Sequence, residues 1–340
     1  MGQRANLIVV EYGEYELFYT HWAANTLPSD LFWSPELATA FIQAQRKVDE
    51  SGWLDDVWAE GGAVIDWDHK VFLLFGGEDM LWDVPLRRYY LQLLGYVWQG
   101  WDIRWAYEGI ADIADYVNYP RRKVIRDYEK EYFVKENYEY DLSPPEDKSW
   151  TDIVGSVIFN DQSLGLFPLE SDLQYLLESG LQLANKINRQ KSLCLDHIFL
   201  DEWTKEFPQG GFHLDFSTST LEFWMASDAI DIKKVVTRNW SGWNVIFYND
   251  YFEFQLEKTK NKLRFPLPSS QDLEQIIKDI LLKEDRQSPV DGLLEITEKE
   301  RQEGHTVEIN PWALRDNHLV LNIERRKQIL DSALAKIKSE

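Results

Sequence analysis

Along the chain, stretches in which apolar and polar residues alternate come in pairs, and each pair gives way to a stretch whose apolar residues recur every three or four positions. Period two is the mark of a half-buried strand, and period near 3.6 that of a helix laid on one. The first pair, NLIVVEYGEYELFYTHW, turns at Tyr12-Gly13-Glu14. A helix is then expected from Ser34, a capping residue, with Pro35 at its first position, through ELATAFIQAQRKV. The second pair, GGAVIDWDHKVFLLFGG, turns near Asp68-His69 and leads into VPLRRYYLQLLGYVW, where Leu86, Tyr90, Leu93, Leu94 and Val97 share a face. A single strand, WDIRWAY, follows; Gly109 ends it, and IADIADYV and YPRRKVIRDYEKEYF read as further helix.

After YEYDLSPPEDKSW, whose Pro144 and Pro145 lie among acids as in a linker, the pattern restarts. GSVIFNDQSLGLFPLES predicts a hairpin and DLQYLLESGLQLANKI a helix; GGFHLDFSTSTLEFW then answers the second hairpin, Gly210-Gly211 matching Gly61-Gly62. AIDIKKVVTRNW leads into WSGWNVIFYND as the earlier helix leads into WQGWDIRWAYEG. The order of hairpin, helix, Gly-Gly hairpin, helix and Trp-x-Gly-Trp strand thus occurs twice. Shorter echoes lie within the second half: VIFND from Val157 against VIFYND from Val245, and FPLESDLQYLL against FPLPSSQDLEQII, each with a serine cap. The C-terminal HTVEINPWALRDNHLVLNIERRKQILDSALAKIKSE predicts two strands and a helix.

The predicted fold is α+β: duplicated hairpin and helix units forming two related lobes of antiparallel or mixed sheet covered by helices, plus a C-terminal hairpin-helix appendage. The expected boundaries are 1–142 for the first lobe, 143–285 for the second and 286–340 for the extension.

Parity sharpens the reading of WDIRWAY. Trp101, Ile103, Trp105 and Tyr107 fall on one side of a strand, Asp102, Arg104 and Ala106 on the other. In the second copy Trp243, Val245, Phe247 and Asn249 occupy the ring-bearing side, so packing rather than a ligand platform is expected, in the central strand of each lobe. Asp102, Arg104 and Glu108 are left to face something else.

Composition adds what pattern does not. The 340 residues are 44% hydrophobic and 14% aromatic, enough to fold despite 28% charge. A formal net charge of −22, from 58 acids against 36 bases, opposes phosphate backbones and anionic lipid, so neither nucleic acid nor membrane is an expected partner. An acidic surface favours a basic protein partner, though it also serves solubility. One cysteine, Cys194, in the apolar SLCLDHIFL, excludes an internal disulfide and a thiolate zinc site. MGQRANLIVVEYG lacks the layout of a secretory signal and of a myristoylation site, so a cytoplasmic location is expected.

Signatures of phosphate loops, dinucleotide folds, zinc proteases and serine-hydrolase elbows are absent, and the six histidines are scattered. No cofactor and no metal is expected; His69 beside Asp66 and Asp68 reads as a turn. The densest mixtures of acid and ring are WLDDVWAEGG and FGGEDMLWD. Their Asp55, Asp56, Glu60, Glu78, Asp79 and Asp83, with Glu108, are the candidate partner-binding residues. The expected function is protein binding, in its narrower form an immunity protein that neutralises a basic toxin. The alternative is a carboxylate-dependent enzyme acting on a carbohydrate, with Trp53, Trp58 or Trp82 as a stacking surface. Oligomeric state is left open.

Overall fold

The computed structural model describes residues 2–126, 141–227, 229–283, 288–315 and 321–338. Strands β1 (Ala5–Glu11), β2 (Glu14–Thr20), β3 (Arg46–Val48), β4 (Gly61–Asp66), β5 (Val71–Phe75) and β6 (Asp102–Trp105) form a six-stranded sheet in the order β3-β2-β1-β4-β5-β6. Further along, β7 (Ile153–Ile158) and β8 (Leu164–Leu169) pair in a hairpin, and β9 (Ile198–Phe199) stands apart. Next come β10 (Gly210–Asp215), β11 (Thr220–Met225), β12 (Asn244–Phe247) and β13 (Leu263–Arg264). The second sheet runs β12-β11-β10-β7-β8, and β9 pairs with β13.

The two sheets are copies. β2-β1-β4-β5-β6 and β8-β7-β10-β11-β12 follow one scheme: antiparallel, parallel, antiparallel, parallel. Register agrees too, Gly62 facing Phe75 as Gly211 faces Trp224, and Leu74 facing Trp105 as Phe223 faces Phe247. Both are therefore mixed sheets, because the helical segment after each hairpin returns the chain parallel to a strand already laid down.

Most helices fall where the 3.6 pattern places them. The one expected through Val48 stops at Gln43, however, and Arg46–Val48 pairs with β2 as strand β3 instead. Glu253–Lys258 and Pro289–Gln302 form helices that the pattern did not mark. Pro35–Gln43 starts at Ser34, whose hydroxyl accepts from the Leu37 N–H at 3.2 Å. Val84–Val97, Ile110–Tyr116, Ile232–Asn239 and Glu253–Lys258 follow their strands. The helix expected over 172–187 is broken into Leu173–Glu178 and Leu181–Arg189. Gly180 makes the break with φ +62°, and a side chain there would strike the Asn239 carbonyl at 2.4 Å. Asp172 rather than Ser171 caps the first piece, accepting from Tyr175 N–H, while Ser269 caps Ser270–Leu281 in a reciprocal box with Asp272.

Trp98 and Trp240, just past their helices, are the deepest shared feature. Each is fully buried, and their indole N–H groups donate to Phe32 O (3.1 Å) and Leu177 O (2.8 Å). Each meets the next tryptophan edge-on, Trp101 at 5.1 Å and Trp243 at 5.2 Å, across a glycine with φ above +80° (Gly100, Gly242). The rings face inward as parity requires, with Asp102 and Arg104 exposed. The strands are not central, however: β6 and β12 both lie at sheet edges. Each is the last strand delivered, and the interior places are already taken by β1, β4, β7 and β10. Asn249 lies beyond β12, in a left-handed conformation with φ +51°. The VIFND echo is not structural, since Val157 sits inside the sheet between Gly165 and Leu214, and Val245 pairs at the edge with Leu221.

Two compact units result: Met1–Glu78 with Leu86–Arg126 and Ser269–Glu340, and Asp79–Pro85 with Asp127–Pro268. In the first, the Trp22 indole donates to Ala313 O at 2.8 Å. Of the C-terminal elements, the helix forms as Ile323–Ile337, but residues 305–310 carry no strand. A 3₁₀ turn, Pro311–Leu314, follows instead, with the Asn310 side chain accepting from Trp312 N–H. The expected second strand lies mostly outside the described residues, as does YPRRKVIRDYEKEYF beyond a 3₁₀ turn at Arg121–Lys123 and residues 124–126. Among the described residues, no helix is long and apolar enough to cross a membrane.

Candidate functional site

Three of the predicted acids share one loop, residues 53–60, braced at several points by the first unit. Asn6, fully buried in β1, donates to Gly52 O (3.0 Å) and accepts from Leu54 N–H (2.7 Å). Trp53 stacks on Tyr119 with centroids 4.6 Å apart. Asp55 accepts the N–H groups of Val57 and Trp58, both at 3.1 Å, and its other oxygen lies 3.3 Å from Arg126 Nε. Asp56 accepts the Arg126 backbone N–H (2.9 Å), and Glu60 accepts that of Arg4 (2.8 Å), whose guanidinium lies 4.5 Å from the Trp58 ring. The loop thereby holds Trp58 (46% exposed) and Val57 (42%) out to solvent.

The other predicted residues do not join this cluster. Glu108 pairs with Arg121, which also holds Asp115 at 2.7 Å. Glu78 is exposed, with Asn25 Nδ2 at 3.5 Å. Asp79 is exposed and Asp83 half-buried, and both belong to the second unit. Asp102 and Arg104 pair with each other at 2.8 Å.

The His69 turn is fully engaged as a turn. Asp68 accepts from the N–H groups of Tyr12 and Gly13 (3.0 and 2.7 Å), tying the two hairpin tips together. Buried Asp66 accepts from His69 Nδ1 (2.9 Å) and the Tyr116 hydroxyl (2.7 Å). Burial works to raise the Asp66 carboxyl, yet these donors hold it below its ordinary value, and the carboxylate in turn holds His69 above its own. Among the described residues, Glu300, Glu303 and His305 form a group whose donor atoms lie close together, at the C-terminal end of the helix Pro289–Gln302, with Glu300 half-buried and the other two exposed.

The chemically richest constellation escaped pattern reading. Across one face of the second sheet, β7, β10 and β11 set Ser156, His213 and Glu222 in one row. Ser156 Oγ lies 2.9 Å from His213 Nδ1. Glu222 accepts from Tyr248 Oη (3.0 Å) and pairs with Lys258 Nζ (2.6 Å). Gln255 donates to Ser156 Oγ and to the carbonyls of Val154 and Phe212, and accepts from the Trp224 indole. Burial pushes the His213 imidazole down to about 4, Glu222 opposing, so it is neutral at pH 7. Serine, histidine and carboxylate suggest a nucleophile set, but the three are 0, 2 and 2% exposed, and Glu253–Lys258 lies over them. The row acts as a satisfied polar lock between sheet and helix. Its one sequence signal is the pair His213 and Glu222 on the strand parity that the first copy fills with Val64 and Leu73.

No protein-family model, curated protein or solved structure matches the chain.

Proposed function

We propose that the protein works by binding a basic protein surface, in a reduced cytoplasmic setting, and in the narrower form that it neutralises a basic toxin as an immunity protein does. The observation that carries this reading is the loop at residues 53–60, where Trp58 and Val57 stand exposed on a backbone fixed by Asp55, Asp56 and Glu60. Tryptophan is the side chain most often found to anchor an interface, and a loop already held in place loses little entropy on docking. The net charge of −22 supplies long-range attraction for a cationic partner. Trp53 is stacked on Tyr119, so one face of its ring is already taken.

The test expresses the product of each gene flanking its own, alone and together with the full chain. One product arrests growth alone and is relieved by this protein. Its affinity falls steeply between about 0.05 and 0.5 M salt, and falls at least roughly tenfold in Trp58→Ala. If no flanking product binds, or one binds with no dependence on salt or Trp58, the reading is wrong.

A further inference from the structure

A cleft of about 230 Å³ in the first unit is lined by Tyr19 and Thr20 of β2, by His21, by residues 44–47, and by Trp312 and Arg315. Its chemistry is opposite to that of the chain. The sequence holds 58 acids, yet no residue lining this cleft is a carboxylate, while Arg46, Lys47 and Arg315 are cationic. Lys47 is paired with Glu16. Arg46 and Arg315 are not: among the described residues neither meets a carboxylate, and both instead lie over one indole, 4.6 and 4.3 Å from the Trp312 centroid.

These groups are held in place. Arg46 is fixed in β3 opposite Tyr19, and the Tyr19 hydroxyl lies 2.7 Å from His21 Nδ1. Trp312 is set by the Asn310 cap, which accepts its N–H at 3.0 Å. In a chain with so large an excess of carboxylates, two guanidiniums gathered on a ring, neither in an ion pair among the described residues and only Arg46 within electrostatic reach of a carboxylate (Asp49), keep hydrogen-bonding capacity for an outside anion.

We infer that this cleft binds a small phosphate monoester, its phosphate gripped by Arg46 and Arg315. A guanidinium offers two parallel N–H donors that match two oxygens of a phosphate, a fit that lysine lacks. The volume suits a phosphate bearing a small substituent. Repulsion from distant carboxylates is screened over ~10 Å, so it disfavours an extended polyanion far more than a compact one held at contact range.

The experiment is titration calorimetry on the full chain with phosphoserine and with inorganic phosphate, at matched ionic strength in chloride. Phosphoserine binds saturably, and Arg46→Gln and Arg315→Gln each weaken it roughly tenfold or more, with unchanged unfolding midpoints. Arg104→Gln, on the exposed edge strand β6, leaves it unaltered. Equal affinity for inorganic phosphate identifies the bare oxyanion as the recognised group and keeps the site. Absence of saturable binding of either probe, or binding that both cleft variants retain in full, overturns the inference.

Discussion

The row under the helix Ile110–Tyr116 and the equivalent row under the helix Glu253–Lys258 are filled in opposite ways. In the first lobe Ile8, Val64 and Leu73 lie side by side, all buried, and Ile113 closes over Gly62. In the second the same places hold Ser156, His213 and Glu222, and Gln255 closes over Gly211. Near the end of that helix the pattern persists, Tyr116 bonding to Asp66 where Lys258 pairs with Glu222. The lobe fold therefore does not require polar groups here, because the same chain folds an apolar version. What the polar row adds is direction and titration: every donor must find its acceptor, so the helix Glu253–Lys258 has one seat, and a buried neutral histidine is tied to that seat.

The largest effect tests whether the lobes are equivalent at all. Trp98→Ala and Trp240→Ala each remove a fully buried ring and an indole bond to a helical or loop carbonyl, and each costs about 4 kcal/mol. Denaturant unfolding read separately for each unit measures both. Losses that differ by more than about 2 kcal/mol would mean that the shared geometry hides unequal roles.

Next in size is a pH dependence confined to the second lobe. His213 titrates near 4 when folded against 6.5 when free, so between those values the unfolded chain takes up a proton that the folded chain refuses. Its contribution is complete above pH 6.5 and is lost as pH falls, amounting to about 3 kcal/mol by pH 4. His213→Val, which installs the first-lobe residue, flattens this slope in stability curves between pH 7 and 4.5. A slope of equal steepness in the variant would assign it to other groups.

A smaller contrast separates the two helix-end contacts. Lys258→Met leaves Glu222 buried with only Tyr248, and costs about 2 kcal/mol, discounted because the lysine is half exposed. Tyr116→Phe costs about 1 kcal/mol, since Asp66 keeps three other donors, the N–H groups of Asp68 and His69 and the His69 ring. Thermal unfolding of the two variants ranks them, and the reverse order would place the greater dependence in the first lobe.

These contrasts were only partly legible beforehand. The hairpins of the two large sheets, most of the helices that cover them and the inward rings follow from local periods, which a run of ten residues carries. The strand expected at the start of the C-terminal segment does not form, and the helix Pro289–Gln302 carried no such signal. The polar row draws on residues 57 and 9 positions apart, joined by strand register alone, and no local period encodes register. The Asp55–Arg126 and Glu108–Arg121 pairs join residues 71 and 13 positions apart through loop and turn geometry, which no local period encodes either. The place of β6 and β12 in their sheets differs from the expected central one because rings on one parity show which side is inward, whereas strand order depends on which neighbours arrive first.

The smallest expected effect lies at the matching edge strands. β6 carries Asp102 and Arg104 on its outer parity, paired and half exposed, where β12 carries Asn244 and Ile246. An exposed pair two residues apart gains little in high dielectric and is screened by salt. Asp102→Asn with Arg104→Ile, which gives β6 the outer face of β12, therefore shifts stability by less than about 0.5 kcal/mol. Charges on an edge strand instead discourage another strand from adding to it, so the double variant should self-associate more than the parent in sedimentation at equal concentration. A loss of stability above about 1 kcal/mol with no change in association would show the pair to be a brace and not an edge guard.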